Sequence, residues 1–341
     1  MIFISPLAKD RTILFESVTA LADRGKRYNP LISFFCSCPF FLRSIVFFLL
    51  LVPASTLFAQ TRTVSELAPG VFFYFGDELQ QKSANCTWIV FKDYVLAIDA
   101  NYPWGAEEIL KEIRKTTDKP IRFLFDTHYH HDHTFGNCVF ADAGATIVST
   151  QKTADEMHTP GQYEWDHASE YSGRNMTGFR REFPSLTFDQ QLVFDDGIHR
   201  VELIKMGPAH SGGDGVAYLP KEKILVTGDL CVNGNPWGNN VADANADYDK
   251  WLDVLESMAG WDVKIVVPGH GDLGTTETLK QQRSYLRDML NQVRQGIKAG
   301  KSKNQLVKEI DLSKHPVYGV NKVSNIRSIG FMYDKLSGKR H

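Results

Sequence analysis

The stretch Phe123-Leu124-Phe125-Asp126-Thr127-His128-Tyr129-His130-His131-Asp132-His133 passes from an apolar run into a segment with four histidines and two aspartates. Phe123 to Phe125 reads as a buried strand. A backbone still extended just beyond it turns His128 and His130 to the same side, because side chains along an extended chain alternate with a period of two. Both imidazoles can then reach one ion. Asp132 and His133 come two and three residues later, where a tight turn carries them toward a neighbouring ion. Imidazole and carboxylate without thiolate suit Zn2+, and also Fe2+ or Mn2+, so the ligand types narrow the metal to this group. A surface loop rich in His and Asp that holds nothing is the competing explanation.

Three later positions bear on that choice. His210 lies in Gly207-Pro208-Ala209-His210-Ser211-Gly212-Gly213-Asp214, straight after the run Val201 to Met206, in a turn too rich in glycine to be a packing position. Asp229 ends Ile224-Leu225-Val226 through Thr227-Gly228, and His270 ends Ile265-Val266-Val267 through Pro268-Gly269. Taken singly, Asp229 reads equally as a solvated strand cap. Taken together, the order His-x-His-x-Asp-His, His, Asp, His at the ends of four separate strands is hard to produce by chance, and it favours two adjacent metal sites in a metal-dependent hydrolase.

This pattern resembles the metallo-β-lactamase superfamily of hydrolases, over about residues 65 to 275. The resemblance implies an α/β fold of four layers, an αβ/βα sandwich of two mixed sheets with helices on both outer sides and the metals in a cleft at one sheet edge. It assigns His128, His130 and His210 to a first ion, Asp132, His133 and His270 to a second, and Asp229 to a bridge between them. Asp99, in Val95-Leu96-Ala97-Ile98-Asp99, matches the acidic residue that family members carry at the end of an early strand, where it supports the ligands from behind. Two divalent ions, with zinc the first choice and iron or manganese the others, would then supply a bridging hydroxide to attack an acyl carbonyl in an ester, thioester, lactone or β-lactam. Asp132 would orient that nucleophile and move its proton. Dedicated β-lactamases of the family usually lack the bridging aspartate, so Asp229 argues against one, while an export leader argues for one. Glyoxalase II-like thioesterases share the Asp229 arrangement, but no basic cluster for a glutathione carboxylate is evident. A mono-iron persulfide dioxygenase uses the same ligands and is the alternative from another class. A non-catalytic metal-binding module is the third reading.

Outward from the site, short β-branched and aromatic runs recur. They are Val71 to Phe75, Thr87 to Phe91, Tyr94 to Ala100 and Thr146 to Ser149, then Gln191 to Phe194, Val201 to Met206, Gly215 to Leu219, Ile224 to Gly228 and Lys264 to Val267. Runs of this length and composition predict strands. Helical periodicity marks Ala106 to Arg114 and Tyr248 to Met258. After Gly274 the spacing of Leu279, Leu286, Leu290, Val293 and Ile297 predicts a long amphipathic helix ended by Gly300, with further helices over Gln305 to Ile310 and Val323 to Leu336. The polar, aromatic segment Gln151 to Ser185 reads as a flap over a pocket or as an ordinary surface insertion. The organisation expected is a leader over 1–59, a catalytic domain over 60–275, and a C-terminal helical extension over 276–341 packed on the same domain.

The 341 residues, 43% hydrophobic, suffice for a large core, and the formal charge is −2. Without residues 1–59 the balance is 32 basic to 37 acidic, or −5, which argues against a nucleic-acid partner and leaves a small-molecule substrate. Arg43, the apolar run Ile45 to Val52, Pro53 and the small residues before Ala59 resemble an export signal. That run is shorter than a membrane-spanning helix needs, so a cleaved leader and a periplasmic or secreted protein are expected, with an uncleaved membrane anchor as the alternative. Cys86, Cys138 and Cys231 form no CxxC pair and indicate no disulfide framework. Two weaker substrate-binding candidates are Trp237, in a Gly/Asn-rich loop, and Tyr318, in His315-Pro316-Val317-Tyr318-Gly319. His131 is expected to point away from both ions, and His158, His167 and His199 to be ordinary surface or core residues.

Overall fold

Strand alternation organises the molecule. A computed structural model describes residues 64–76, 84–234, 241 and 243–338, all within the unit Ala59–His341. The leader and Trp237 lie outside the described residues. Val64–Ala68 (β1), Val71–Tyr74 (β2), Cys86–Val90 (β3), Val95–Ile98 (β4), Ile121–Phe125 (β5), Thr146–Thr150 (β6) and Leu186–Phe188 (β7) form one sheet in chain order. Its first half is antiparallel, and β4 to β7 are parallel. Gln191–Asp195 (β8), Arg200–Lys205 (β9), Gly215–Leu219 (β10), Ile224–Val226 (β11) and Ile265–Val267 (β13) form the second, in the order β13-β11-β10-β9-β8. Val232–Asn233 (β12) and His270–Gly271 (β14) make a small parallel pair.

Val71, Phe73, Leu96, Ile98 and Phe125 of the first sheet meet Val201, Leu203, Ala217, Leu219, Ile224 and Val226 of the second. The alternate residues Trp88, Val95, Ala97 and Leu124 face the other way, onto Ile109 and Ile113 of Pro103–Thr116 (α1) and Phe140 of Asn137–Asp142 (α3). On the far side, Val216, Leu225 and Val266 meet Trp251 and Leu255 of Tyr248–Ala259 (α7) and Leu286 and Leu290 of Thr276–Lys298 (α8). Strands buried on both faces need continuous apolar sequence, which Val95-Leu96-Ala97-Ile98 supplies. The result is the expected αβ/βα sandwich. Lys303–Glu309 (α9) and Lys322–Leu336 (α10) add Leu306, Ile329 and Met332 to the α7–α8 core. No helix among the described residues is long and apolar enough to cross a membrane.

The structure adds elements that the pattern did not predict. β1 reads Val-Ser-Glu-Leu-Ala and is only half-buried at a sheet edge, so it lacks an alternating signal. β12 and β14 are two residues each and exist only through their mutual pairing. The segment Gln151 to Ser185 folds as Gln151–Met157 (α4), Pro160–Asp166 (α5) and Ala168–Ser172 (α6). Trp165 and Phe179 pack there with Tyr102, Phe135 and Met176, whereas Tyr163 and Tyr171 stay exposed.

Topology collects the strand ends that matter. β4 and β5 are parallel; β9 and β11 both run antiparallel to β10, and β13 runs parallel to β11. The C-terminal ends of β9, β11 and β13 therefore emerge at one end of their sheet. Gly215 N donates to Thr127 O (2.8 Å) and Asn85 N to Gly269 O (2.8 Å), tying the two sheets together at that end.

Candidate metal centre

The loop after β5 carries His128 at a bend and His130 in extended backbone, and the single turn His131–Thr134 (α2) then swings Asp132 and His133 around. His210 comes from the β9–β10 loop. Asp229 sits in a 3-10 turn, Gly228–Leu230, directly after β11, and His270 opens β14. Two glycines make the approach possible: Gly228 adopts φ +51°, and a Cβ on Gly269 would run into Asp229 Oδ1. All seven predicted ligands converge in two buried groups. In each, His128, His130, His210 and Asp229 on one side and Asp132, His133 and His270 on the other, one donor atom per residue lies within 4.8 Å of the rest.

Asp229 stands between the groups. Its Oδ1 lies 3.3 Å from Nε2 of both His133 and His270, and its Oδ2 lies 3.9 Å from His210 Nε2. Asp132 Oδ2 is 3.2 Å from His270 Nε2. His128 Nε2 and His210 Nε2 are buried with no hydrogen-bond partner among the described residues. Burying such atoms unpaired is unfavourable, and coordination to a cation would satisfy them. The donor set therefore fits divalent metal ions.

The ring nitrogens that face away from the centre are held. His133 Nδ1 contacts Asp99 Oδ2 at 2.9 Å, and Asp99 also accepts from Thr127 N and Thr127 Oγ1, both at 2.9 Å. Asp99 thus supports the loop and one ligand together, at a left-handed φ of 62°. His130 Nε2 contacts Asp243 Oδ2 at 3.0 Å, and Tyr129 donates its hydroxyl to the same oxygen at 2.7 Å. A carboxylate behind a ligating histidine fixes its tautomer and orientation, which leaves Nε2 of His133 and Nδ1 of His130 for a metal. Asp214 accepts from Ala209 N and Ser211 N and so shapes the loop that carries His210. Asp243 escapes sequence reasoning, because it sits among Ala and Asn with no strand run before it.

Electrostatics follow from this crowding. Burial pushes the His128 imidazole well below its usual pKa, with His133 and His130 adding to the effect. Burial opposes charge on His130 and His133 as well, but carboxylates outweigh it. Glu164, Asp243 and Asp229 raise His130 to about 9, and Asp99, Asp229 and Asp132 raise His133 to about 10. Burial would raise Asp132 and Asp229, yet His131, His133 and His270 hold the first, and His270 and His133 the second, well below the carboxylate range. Both aspartates are thus ionised acceptors.

Replacing Asp243 with Ala should release His130 and weaken the first ion about 10- to 100-fold. A metal-binding titration checks this; undiminished affinity would remove Asp243 from any role at the centre.

Residues 80–270, more than half of the chain, match the profile of the metallo-beta-lactamase superfamily. The chain belongs to that superfamily. A metallo-beta-lactamase type 2 from Elizabethkingia meningoseptica is 26% identical over 199 residues, 56% of this chain and 70% of that one. The alpha subunit of a 2,4-dinitroanisole O-demethylase from Nocardioides sp. (strain JS1661) is 28% identical over 181 residues, 52% of this chain. The match spans about half of that relative's length, 49%. A metallo-beta-lactamase structure from Pontibacter korlensis superposes with a TM-score of 0.52 at 22% identity, covering 66% of this chain and 98% of that one; it shares the fold.

Tyr318, a weaker substrate-binding candidate in the sequence, is instead buried and donates its hydroxyl to Val232 O at 3.0 Å. Its ring stacks on Tyr285, since the turn before α10 folds inward onto α8. His131 contacts the Tyr102 hydroxyl through Nδ1 at 2.7 Å and lies nearly parallel to the Tyr171 ring. Its backbone N–H donates to Glu164 Oε2 at 2.9 Å, which seats α5 against the histidine loop. His199 is buried against Glu222 at 2.7 Å. Cys86, Cys138 and Cys231 are free and buried.

Proposed function

We propose that the protein is a dinuclear metal-dependent hydrolase of small acyl compounds, and that zinc is its metal. One observation carries this reading: the carboxylate of Asp229 faces both donor groups at once, with Oδ1 3.3 Å from His133 and His270 and Oδ2 3.9 Å from His210. Two divalent ions in such a site lower the pKa of a water toward neutrality and polarise a carbonyl. The chain's own residues do the rest. Asp132 is ionised and keeps 12% side-chain exposure against 6% for Asp229, so it is the carboxylate placed to orient an attacking water and to take its proton. His131 Nδ1, 3.7 Å from Asp132 Oδ1, flanks that carboxylate. Asp99 and Asp243 keep the histidines in register while the proton moves.

A mono-iron dioxygenase uses the same ligands, and iron content with oxygen uptake separates it from the dinuclear hydrolase. Asp229 favours a hydrolase of esters, thioesters or lactones over a dedicated β-lactamase, and the sequence offers no evident basic cluster for a glutathione carboxylate. The name of the Nocardioides relative widens the panel to aryl methyl ethers. The leader-like residues 1–59 support a periplasmic or secreted location, or a membrane anchor if they are retained. The acidic balance supports a small-molecule substrate rather than nucleic acid.

The test is a metal count per chain, with a panel of ester, thioester, lactone, β-lactam and aryl ether substrates before and after chelation. Two metal ions and chelator-sensitive acyl cleavage are expected. Full turnover after the metals are stripped would refute the reading.

A further inference from the structure

Asp229 can serve both donor groups only if the short segment that follows it is held in place. Leu230, Cys231 and Val232 are 1%, 0% and 2% exposed, so their backbone groups must find partners within the protein. Leu230 O accepts from Trp251 Nε1 at 3.0 Å and from Gln282 Nε2 at 2.8 Å. Val232 N donates to Gln282 Oε1 at 2.8 Å, and Val232 O accepts from the Tyr318 hydroxyl at 3.0 Å. The fully buried Gln282, on α8, thus grips the chain on both sides of Cys231. Tyr318 is held in turn by its stacking on Tyr285, whose hydroxyl donates to Asn325 of α10 at 2.6 Å.

The same strip positions a second ligand. Val232 pairs with His270 across β12 and β14, and Gly269 N donates to Gly228 O at 2.9 Å and Cys231 O at 3.0 Å. Asp229 and His270 therefore take their places from one short stretch of backbone. Gln282 and Tyr318 hold that stretch from beyond the residues 80–270 that carry the family match. By contrast, His128, His130 and His210 rest on the β5 and β9 loops, on Thr127, Asp243 and Asp214.

We propose that Gln282 and Tyr318 are positioning residues for Asp229 and His270, through which the C-terminal helices set the affinity of the ion held with Asp132 and His133. The inference rests on the dinuclear reading of the site and on no particular substrate. Without its side-chain partner, a buried carbonyl or N–H shifts toward another donor, acceptor or water, and here that shift moves two ligands of one ion and a single ligand of the other.

The experiment titrates cobalt(II), as the metal probe, into the full chain stripped of metal. Wild type is compared with Gln282→Met and Tyr318→Phe, and uptake is followed by visible absorption and calorimetry. Wild type should take up two ions. Each variant should bind one ion only slightly more weakly than wild type does and the other about 10- to 100-fold more weakly, with the larger spectral change for that second ion. Thermal unfolding of the metal-free proteins separates positioning from plain stability. A lower melting temperature with both affinities preserved would overturn the inference, and so would equal weakening of both ions. Should Gln282→Met fail to fold, Tyr318→Phe, which removes one oxygen and keeps the ring, decides alone. Wild type that binds a single ion would defeat the dinuclear reading, a result distinct from wild type binding two ions with the variants unaffected.

Discussion

Asp99→Ala is expected to destabilise the protein by about 5 kcal/mol, because it strips partners from two buried donors and one buried imidazole and puts Ala in the left-handed region. Asp99 is 2% exposed, and its carboxylate accepts from Thr127 N and Thr127 Oγ1 and contacts His133 Nδ1. Water cannot replace those bonds without opening the end of β4. The φ of 62° adds to the cost for Ala but little for Asn, whose side chain tolerates that region. Asp99→Asn should therefore lose only about half as much and keep the Thr127 N–H bond. It should still misdirect His133, since an amide nitrogen cannot accept from Nδ1. Denaturant unfolding and metal titration together check the pair. An Ala variant within about 1 kcal/mol of the parent, with the second ion intact, would show that Asp99 is an ordinary strand cap.

Asp132→Ala, measured with metal in excess, should lower kcat by about 100- to 10,000-fold, the usual range for removing a group that moves a proton in the rate-determining step. KM should change far less, because Asp132 bonds the reacting water rather than the substrate's remote parts. Metal excess matters, since Asp132 Oδ2 also lies among the donors of the second group, 3.2 Å from His270 Nε2. The linkage has a definite sign. Asp132 and Asp229 are held below the ordinary carboxylate range, so their contribution to stability is present above a pH of about 4 and is lost as the pH falls through their lowered folded-state values. Unchanged kcat in the metal-loaded variant would move the proton-transfer role elsewhere.

Much of the site was legible in the residues because strand ends announce themselves. Each ligand follows an apolar run and a glycine or a short polar turn, and parallel strand direction then brings those ends together. Asp99 was legible for the same reason. Asp243 was not, because its signal is a contact with His130 across 113 residues. The buried place of Tyr318, a weaker substrate-binding candidate in the sequence, was not legible for a related reason. An aromatic beside Pro and Gly looks like an exposed turn until α8 and α10 close over it.

The chain's own pattern of alternation and turn residues marked the strand runs and the candidate ligands in their order, since these depend on local backbone geometry and hydrophobic period, while the double-sheet sandwich and the division of the ligands between two ions were what the family resemblance implied. Only the tertiary structure decided that Asp229 faces both donor groups, that Asp243 stands behind His130, and that Gln282 and Tyr318 grip Val232 from 50 and 86 residues away. Those choices are made by packing between elements distant in sequence, where the fit of buried polar groups, and no local periodicity, selects the partner.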